Sequence, residues 1–177
     1  QSLEATGQPM PRGVTLPASP PEAPASDSVG IAIIGLGGYA LRQMMPAIQR
    51  TQSCHVAGLV SGNRDKALAV GRAYGVPEDA IYSYENFDAI ATDDRIDAVY
   101  IVLPSGLHAE WAEKSFAAGK HVLCEKPMAL SVADCDRMIA ASQRADRKLM
   151  IGYRCHFEPY NLAAMDLMRS GAVGDIE

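Results

Sequence analysis

Two short stretches of this chain carry residue types whose spacing could do chemistry. The first is Gly35-Leu36-Gly37-Gly38-Tyr39-Ala40, directly after an apolar run. In a G-x-G-x-x-A turn of this kind Gly35 permits the tight turn, Gly37 lets the backbone approach a pyrophosphate, and Ala40 is small enough for the next helix to pack on the strand. The helix N-terminus then offers free N–H groups and the positive end of its dipole to phosphates. Glycine-rich turns also serve structure alone, but a strand before, a helix after and a second strand about 20 residues on supply the context that binding requires. The second stretch is Glu125-Lys126-Pro127, at the end of another apolar run. A lysine there can donate to a hydroxyl or carbonyl oxygen, and its charge favours the alkoxide formed as a hydride leaves. A lone lysine at a strand end is usually a surface residue. The paired Pro127 and the phosphate turn upstream make Lys126 a catalytic candidate.

A third segment bears on which dinucleotide would fit. The second strand ends in Ser61-Gly62-Asn63-Arg64-Asp65-Lys66. An NAD enzyme usually has Asp or Glu at the strand end, accepting from the adenosine ribose hydroxyls. A carboxylate about 4 Å from a 2′-phosphate would cost up to about 4 kcal/mol at intermediate dielectric, less with solvent screening. Ser61 stands there instead, with Arg64 and Lys66 close behind, so NADP is the expected cofactor. The competing reading makes Arg64 and Lys66 ordinary solvated residues of a first helical turn.

These segments need strands and helices to position them, and the pattern provides both. Strands are expected at Val29–Gly35, His55–Val60, Ala80–Tyr82, Ala98–Leu103, His121–Cys124 and Lys148–Ile151. Helices are expected at Tyr39–Thr51, Arg64–Tyr74 (closed by Gly75), Asn86–Ala91, Leu107–Ala118 (stopped by Gly119), from Ser131, and at Pro159–Arg169. Ser131 with Asp134 forms a capping-box arrangement, and Val132, Cys135, Met138 and Ile139 fall on one helical face. Strands separated by helices of this length imply right-handed crossovers and a parallel sheet covered on both faces. The expected class is therefore α/β: a doubly wound parallel sheet of the Rossmann dinucleotide-binding kind.

Composition narrows the alternatives. The chain has 177 residues, enough for one domain. It carries 16 basic against 21 acidic residues, with no basic, aromatic-studded face, so nucleic acid is not an expected partner. The longest apolar runs are far shorter than the roughly 20 residues that span a bilayer, so no membrane segment is expected. Cys54, Cys124, Cys135 and Cys155 lack the spacing of a zinc knuckle or redox pair and read as buried thiols. Cys54-His55 and Cys155-His156 do not suggest metal either, because neighbouring strand side chains point to opposite faces. No basic region followed by an apolar core marks a signal peptide. A start at Gln1 is compatible with a processed form or a fragment.

Residues 1–27 are unlike the rest. They hold Pro9, Pro11, Pro17, Pro20, Pro21 and Pro24, six of the eleven prolines, and are expected to be extended. On composition alone a disordered tail is the simpler reading. The expected layout is an arm over 1–27, the dinucleotide domain over 28–157, and a last helix with the start of a connection over 158–177.

Taken together, the glycine turn, Leu103-Pro104-Ser105-Gly106-Leu107-His108 and Glu125-Lys126-Pro127 resemble the Gfo/Idh/MocA oxidoreductase family. Ser61-Gly62-Asn63, Ala117 through Pro127, Met150-Ile151-Gly152-Tyr153-Arg154-Cys155-His156 and Gln8-Pro9-Met10-Pro11 are similar to its glucose–fructose oxidoreductase branch. The resemblance implies a periplasmic, oligomeric enzyme, with a cytoplasmic one as the alternative. Such an enzyme keeps NADP bound, oxidises an aldose to its lactone and reduces a second sugar. It implies that Lys126 is the catalytic lysine beside the nicotinamide and that Ser61 and Lys66 hold the 2′-phosphate. It also implies that Tyr84, Leu103, Pro104, His108, Glu125 and Arg154 line the cofactor, and that the arm wraps a neighbouring subunit over the adenine end.

In that family the substrate pocket, and the tyrosine and histidine that assist proton transfer, lie in a C-terminal α/β domain. The chain reaches Glu177 shortly after a Gly171–Gly174 turn, so that domain is expected to be absent here. The expectation is a cofactor-binding half that turns over no aldose alone. Two other readings stay open: an NADP-dependent aldose dehydrogenase that releases its cofactor each turnover, and a nucleotide-binding module without catalysis.

Overall fold

Six apolar segments form six strands: β1 (Val29–Ile34), β2 (Cys54–Val60), β3 (Ile81–Tyr82), β4 (Ala98–Ile101), β5 (His121–Cys124) and β6 (Leu149–Ile151). The computed structural model describes residues 8–174. The strands all pair in parallel, in the order β3-β2-β1-β4-β5-β6. The order reverses between β3 and β4, so the carboxyl ends of β1 and β4 flank the crevice where ligands of doubly wound sheets bind.

The helices divide between the two faces as strand alternation requires. Ile33, Leu59 and Tyr100 face one way. They pack on a helix that opens as a π segment, Ala40–Met44, and continues as Met45–Ile48 (α1), and on α2 (Arg64–Tyr74). Ala32, Ile34, Val99, Ile101, Val122 and Cys124 face the other way, against Trp111, Ala112 and Phe116 of α3 (His108–Ala117) and Met138 and Ala141 of α4 (Val132–Ala145). The fifth helix, α5 (Pro159–Arg169), follows β6, with the Glu158 side chain accepting from Asn161 N–H at its start. No residue of α5 is buried among the described residues, and Tyr160, Leu162, Leu167 and Met168 are exposed.

Several expectations need correction. The first helix ends at Ile48 rather than Thr51, and its opening turn is wider than an α-helix. Pro46 is the reason: it has no N–H for the Arg42 carbonyl, and its ring crowds that carbonyl. Asn86–Ala91 becomes a 3-10 segment, Phe87–Thr92, and a second such turn, Ser105–Leu107, precedes α3. Ser131 caps α4 by accepting from Asp134 N–H, but its hydroxyl also donates to the Asp134 carboxylate at 2.8 Å, so the reciprocal half of a capping box is not what forms. On α4, Met138 is buried while Val132 (78% exposed) and Ile139 (43%) are not. The helix rests on the line through Cys135, Met138 and Ala141, and Val132 and Ile139 share a neighbouring line. Of the four cysteines only Cys124 is buried; Cys54 and Cys135 are half-buried and Cys155 is exposed.

The described part of the arm, residues 8–27, contains no helix or strand. It does not leave the domain: Met10, Val14 and Leu16 are half-buried against the α1–α2 cluster. Asn63 Nδ2 donates to the Gln8 carbonyl at 3.4 Å. Residues 1–7 of the expected arm lie outside the described residues. Pro21–Ala25 roof a cleft of about 1130 Å³ with the amino ends of β1 and β2, the end of the sheet away from the crevice.

Candidate cofactor site

The glycine turn sits at the carboxyl end of β1, and its two outer requirements are visible in the packing. Gly35 has a φ of +92°, which disfavours any side chain, and a Cβ there would lie 2.5 Å from the Val102 carbonyl oxygen. At Gly37 a Cβ would meet nothing within 4 Å, so open space lies over the backbone where a pyrophosphate would approach. Leu41 N–H donates to the Gly37 carbonyl at 3.1 Å, which leaves the N–H groups of Gly38, Tyr39 and Ala40 ahead of the helix ladder. Ala40 is fully buried on the sheet, and Leu36 turns its side chain into the same cluster, so Leu36 offers a ligand only its backbone.

One strand spacing away, about 5 Å, the β2 end carries the expected 2′-phosphate residues. Ser61 is buried, and its hydroxyl accepts from Asn63 N–H. The Asn63 side chain caps α2 by accepting from Lys66 N–H at 2.9 Å. Lys66 is only 8% exposed, and burial holds its ammonium below the usual lysine range. Among the described residues its Nζ has no hydrogen-bond or ion-pair partner. A shielded cation without an anion suits a phosphate. Gly62 is exposed beside it. Arg64 differs from expectation in its direction: it pairs with Glu78 at 2.7 Å on the surface.

The lysine end lies across β4. β5 stands two strand spacings from β1, about 10 Å, and delivers Glu125 and Lys126 at its carboxyl end. Glu125 is buried, and its carboxylate accepts from the Tyr100 hydroxyl at 2.5 Å and from Lys126 N–H at 3.2 Å. Burial first and Glu125 second push the Tyr100 hydroxyl far above the ordinary phenol range, so it stays a donor. Burial, then Glu125, raises Tyr39 as well, with Arg154 opposing, which places these three groups together. Burial and the same carboxylate push the Cys124 thiol up to about 12, so it is inert. Lys126 is exposed, and its ammonium has no partner among the described residues. The Lys126–Pro127 peptide bond is cis.

Leu103 and Pro104 leave β4 at this end, and Tyr84 packs edge-on against Trp111, its ring centroid 5.2 Å away. His108 does not take its expected place on the cofactor wall. It is 1% exposed, with Nδ1 2.9 Å from the Pro127 carbonyl oxygen and Nε2 2.9 Å from that of Leu103, so the ring lies behind the wall. Tyr100 is the residue that sequence reasoning missed. Its signal was a tyrosine inside an apolar strand, because a buried hydroxyl needs a partner.

Open backbone at a turn, an unpaired shielded lysine at the β2 end and an exposed lysine at the β5 end define a dinucleotide-binding domain of oxidoreductase type. The residues present fit a nicotinamide dinucleotide at the β1–β4 crevice. Among the described residues no group of three or more His, Cys, Asp or Glu is arranged to hold a metal. The sequence model described as "Oxidoreductase family, NAD-binding Rossmann fold" matches residues 29–153, and the chain belongs to this Gfo/Idh/MocA family. It is 39% identical over 155 residues to D-xylose 1-dehydrogenase [NADP(+)] of Haloarcula marismortui, covering 87% of this chain and 43% of that protein. Aldose-aldose oxidoreductase from Caulobacter crescentus, solved with glycerol, superposes with a TM-score of 0.81 at 49% identity, over 83% of this chain and 44% of that one. The 3-ketoreductase KijD10 from Actinomadura kijaniata, solved with NADP, gives a TM-score of 0.74 at 29% identity, over 84% and 46%. The chain thus spans less than half the length of these relatives.

Proposed function

We propose that this chain is the cofactor-binding half of an NADP-dependent sugar oxidoreductase of the glucose–fructose type. The enzyme oxidises an aldose to its lactone and passes the hydride on to a second sugar. The observation that carries the cofactor choice is Lys66, shielded and without a partner among the described residues, in the segment after Ser61, which stands where an NAD enzyme carries an acid. When bound, the cofactor supplies the hydride acceptor. The chain's residues do the rest: the N–H groups after Gly37 hold the pyrophosphate, and Ser61 and Lys66 hold the 2′-phosphate. Lys126 faces the oxygen of the carbon that loses hydride, and its charge favours the developing alkoxide over the neutral alcohol.

The proton of that hydroxyl needs an acceptor within hydrogen-bond reach. His108 is buried with both nitrogens facing backbone carbonyl oxygens, out of a sugar's reach, so it is not the acceptor. The acceptor and the sugar pocket belong to the remainder of the whole protein on this reading, and the arm of this chain makes subunit contacts there. A dehydrogenase that releases NADPH is the second reading, favoured by the similarity to D-xylose 1-dehydrogenase.

Calorimetric titration of the 177-residue chain with NADP and with NAD tests the cofactor choice, and NADP is expected to bind more tightly. Equal or tighter NAD binding overturns it. The chain alone is expected to turn over no aldose detectably. In the whole protein, cofactor carried through gel filtration supports the two-sugar cycle, and its loss supports the dehydrogenase.

A further inference from the structure

We propose that His108 is the positioning residue for Lys126, a bridge that fixes the lysine segment to the end of β4. The inference rests on the oxidoreductase reading for its kinetic consequence, but not for the bridge itself. His108 is the first residue of α3, and its ring is buried at the carboxyl end of the sheet. Nδ1 lies 2.9 Å from the carbonyl oxygen of Pro127, the residue after Lys126, and Nε2 2.9 Å from that of Leu103, just past β4; both oxygens are acceptors, so the ring bonds to either by donating an N–H. Both carbonyls belong to non-repetitive backbone, which has no ladder to hold it.

The residue before Lys126 is held separately. Tyr100 of β4 donates to the Glu125 carboxylate, whose other oxygen accepts from Lys126 N–H. Lys126 is therefore bracketed, by Tyr100 acting through Glu125 on one side and by His108 acting through Pro127 on the other. Only its side chain is left unheld. Any buried histidine needs polar partners for its ring nitrogens. Here both nitrogens are placed on the two backbone segments that meet at the candidate catalytic end. Fixing the lysine's backbone matters because a misplacement of about 1 Å at a reacting centre can cost about 100-fold in rate.

Two measurements test this. In the 177-residue chain, His108→Phe keeps a ring in place and removes both nitrogens that face the two carbonyls. Amide hydrogen exchange by mass spectrometry should then accelerate at least about tenfold over residues 126–130, with β1, β2 and the NADPH affinity unchanged. Unchanged exchange there overturns the bridge, whether or not the whole protein acts on sugars. His108→Gln retains an amide donor for one carbonyl and should fall between; if His108→Phe fails to fold, that variant alone decides the exchange result.

In the whole holoenzyme, His108→Phe should lower kcat about 10- to 100-fold with little change in the Kd for NADPH. In a Lys126→Ala background the same substitution should cost less than about twofold, because a residue acting through Lys126 has nothing left to position. Additive losses, or a parallel loss of NADPH binding, would make His108 a structural residue only. A whole protein that transfers no hydride would refute the oxidoreductase reading and leave the exchange measurement to decide the bridge.

Discussion

The two ends of the cofactor crevice are built differently. At the phosphate end the work falls to backbone: Gly35 makes a turn no side chain tolerates, Gly37 leaves open space, and N–H groups precede the ladder of α1. Lys66 is a shielded side chain there with no partner among the described residues, and a neighbour in sequence, Asn63, fixes the start of its helix. At the lysine end the backbone is irregular and is held by side chains from other elements. Tyr100 comes from β4 and His108 from α3, distant in sequence from the groups they hold. The lesson is that a phosphate site can be local, since a turn and a helix start are enough. A catalytic lysine must be positioned against a second partner, and that takes tertiary contacts.

Three substitutions would break or sharpen this contrast. The largest effect is expected at the lysine end. In the whole protein Lys126→Ala should lower kcat by about two to four orders of magnitude, as for removal of one preorganised donor or acid–base group, with the Kd for NADPH nearly unchanged. A fully active variant would remove the lysine from the mechanism and with it the distinction between the ends. The next largest is at the turn, where Gly35→Ala meets both a φ of +92° and the Val102 carbonyl oxygen at 2.5 Å. Destabilisation of about 2–4 kcal/mol is expected from strain of this kind, read as a lowered thermal or urea midpoint. A variant as stable as the parent would show that the turn can relax and that its geometry is less constrained than the packing indicates.

The smallest of the three tests the shielded cation. Lys66→Ala should weaken NADPH binding by about 10- to 100-fold, the worth of one charge-assisted hydrogen bond of about 1.5–3 kcal/mol, while NADH binding changes little. Parallel weakening of both cofactors would mean that Lys66 supports the loop and does not read the 2′-phosphate. The comparison between cofactors is what separates these outcomes, because a structural lesion has no reason to distinguish them.

Much of the frame was legible beforehand because its signals are local. α2 and α5 begin and end where apolar period, caps and Gly75 place them, and β5 matches residue for residue. The first helix was harder, because Pro46 falls inside the expected Tyr39–Thr51 helix and acts on the turn before it. On α4 the sequence period admits two adjoining apolar lines, and only the seating of the helix on α3 and the sheet selects Met138 over Val132 and Ile139.

The same division runs through the site. The sequence by itself determined that a glycine turn follows β1, that no acid ends β2, and that a lysine follows β5, because each depends on residues adjacent in the chain. Only the tertiary structure decided which side chains face the crevice. Arg64 turns to Glu78, Lys66 has no partner among the described residues, Tyr100 takes Glu125, and His108 lies behind the wall facing two carbonyls. Those outcomes depend on the direction of each side chain and on partners up to 25 residues away in sequence, as for Tyr100 and Glu125. Hydrogen bonds of that kind are specified by how strands and helices stack, which local pattern does not encode.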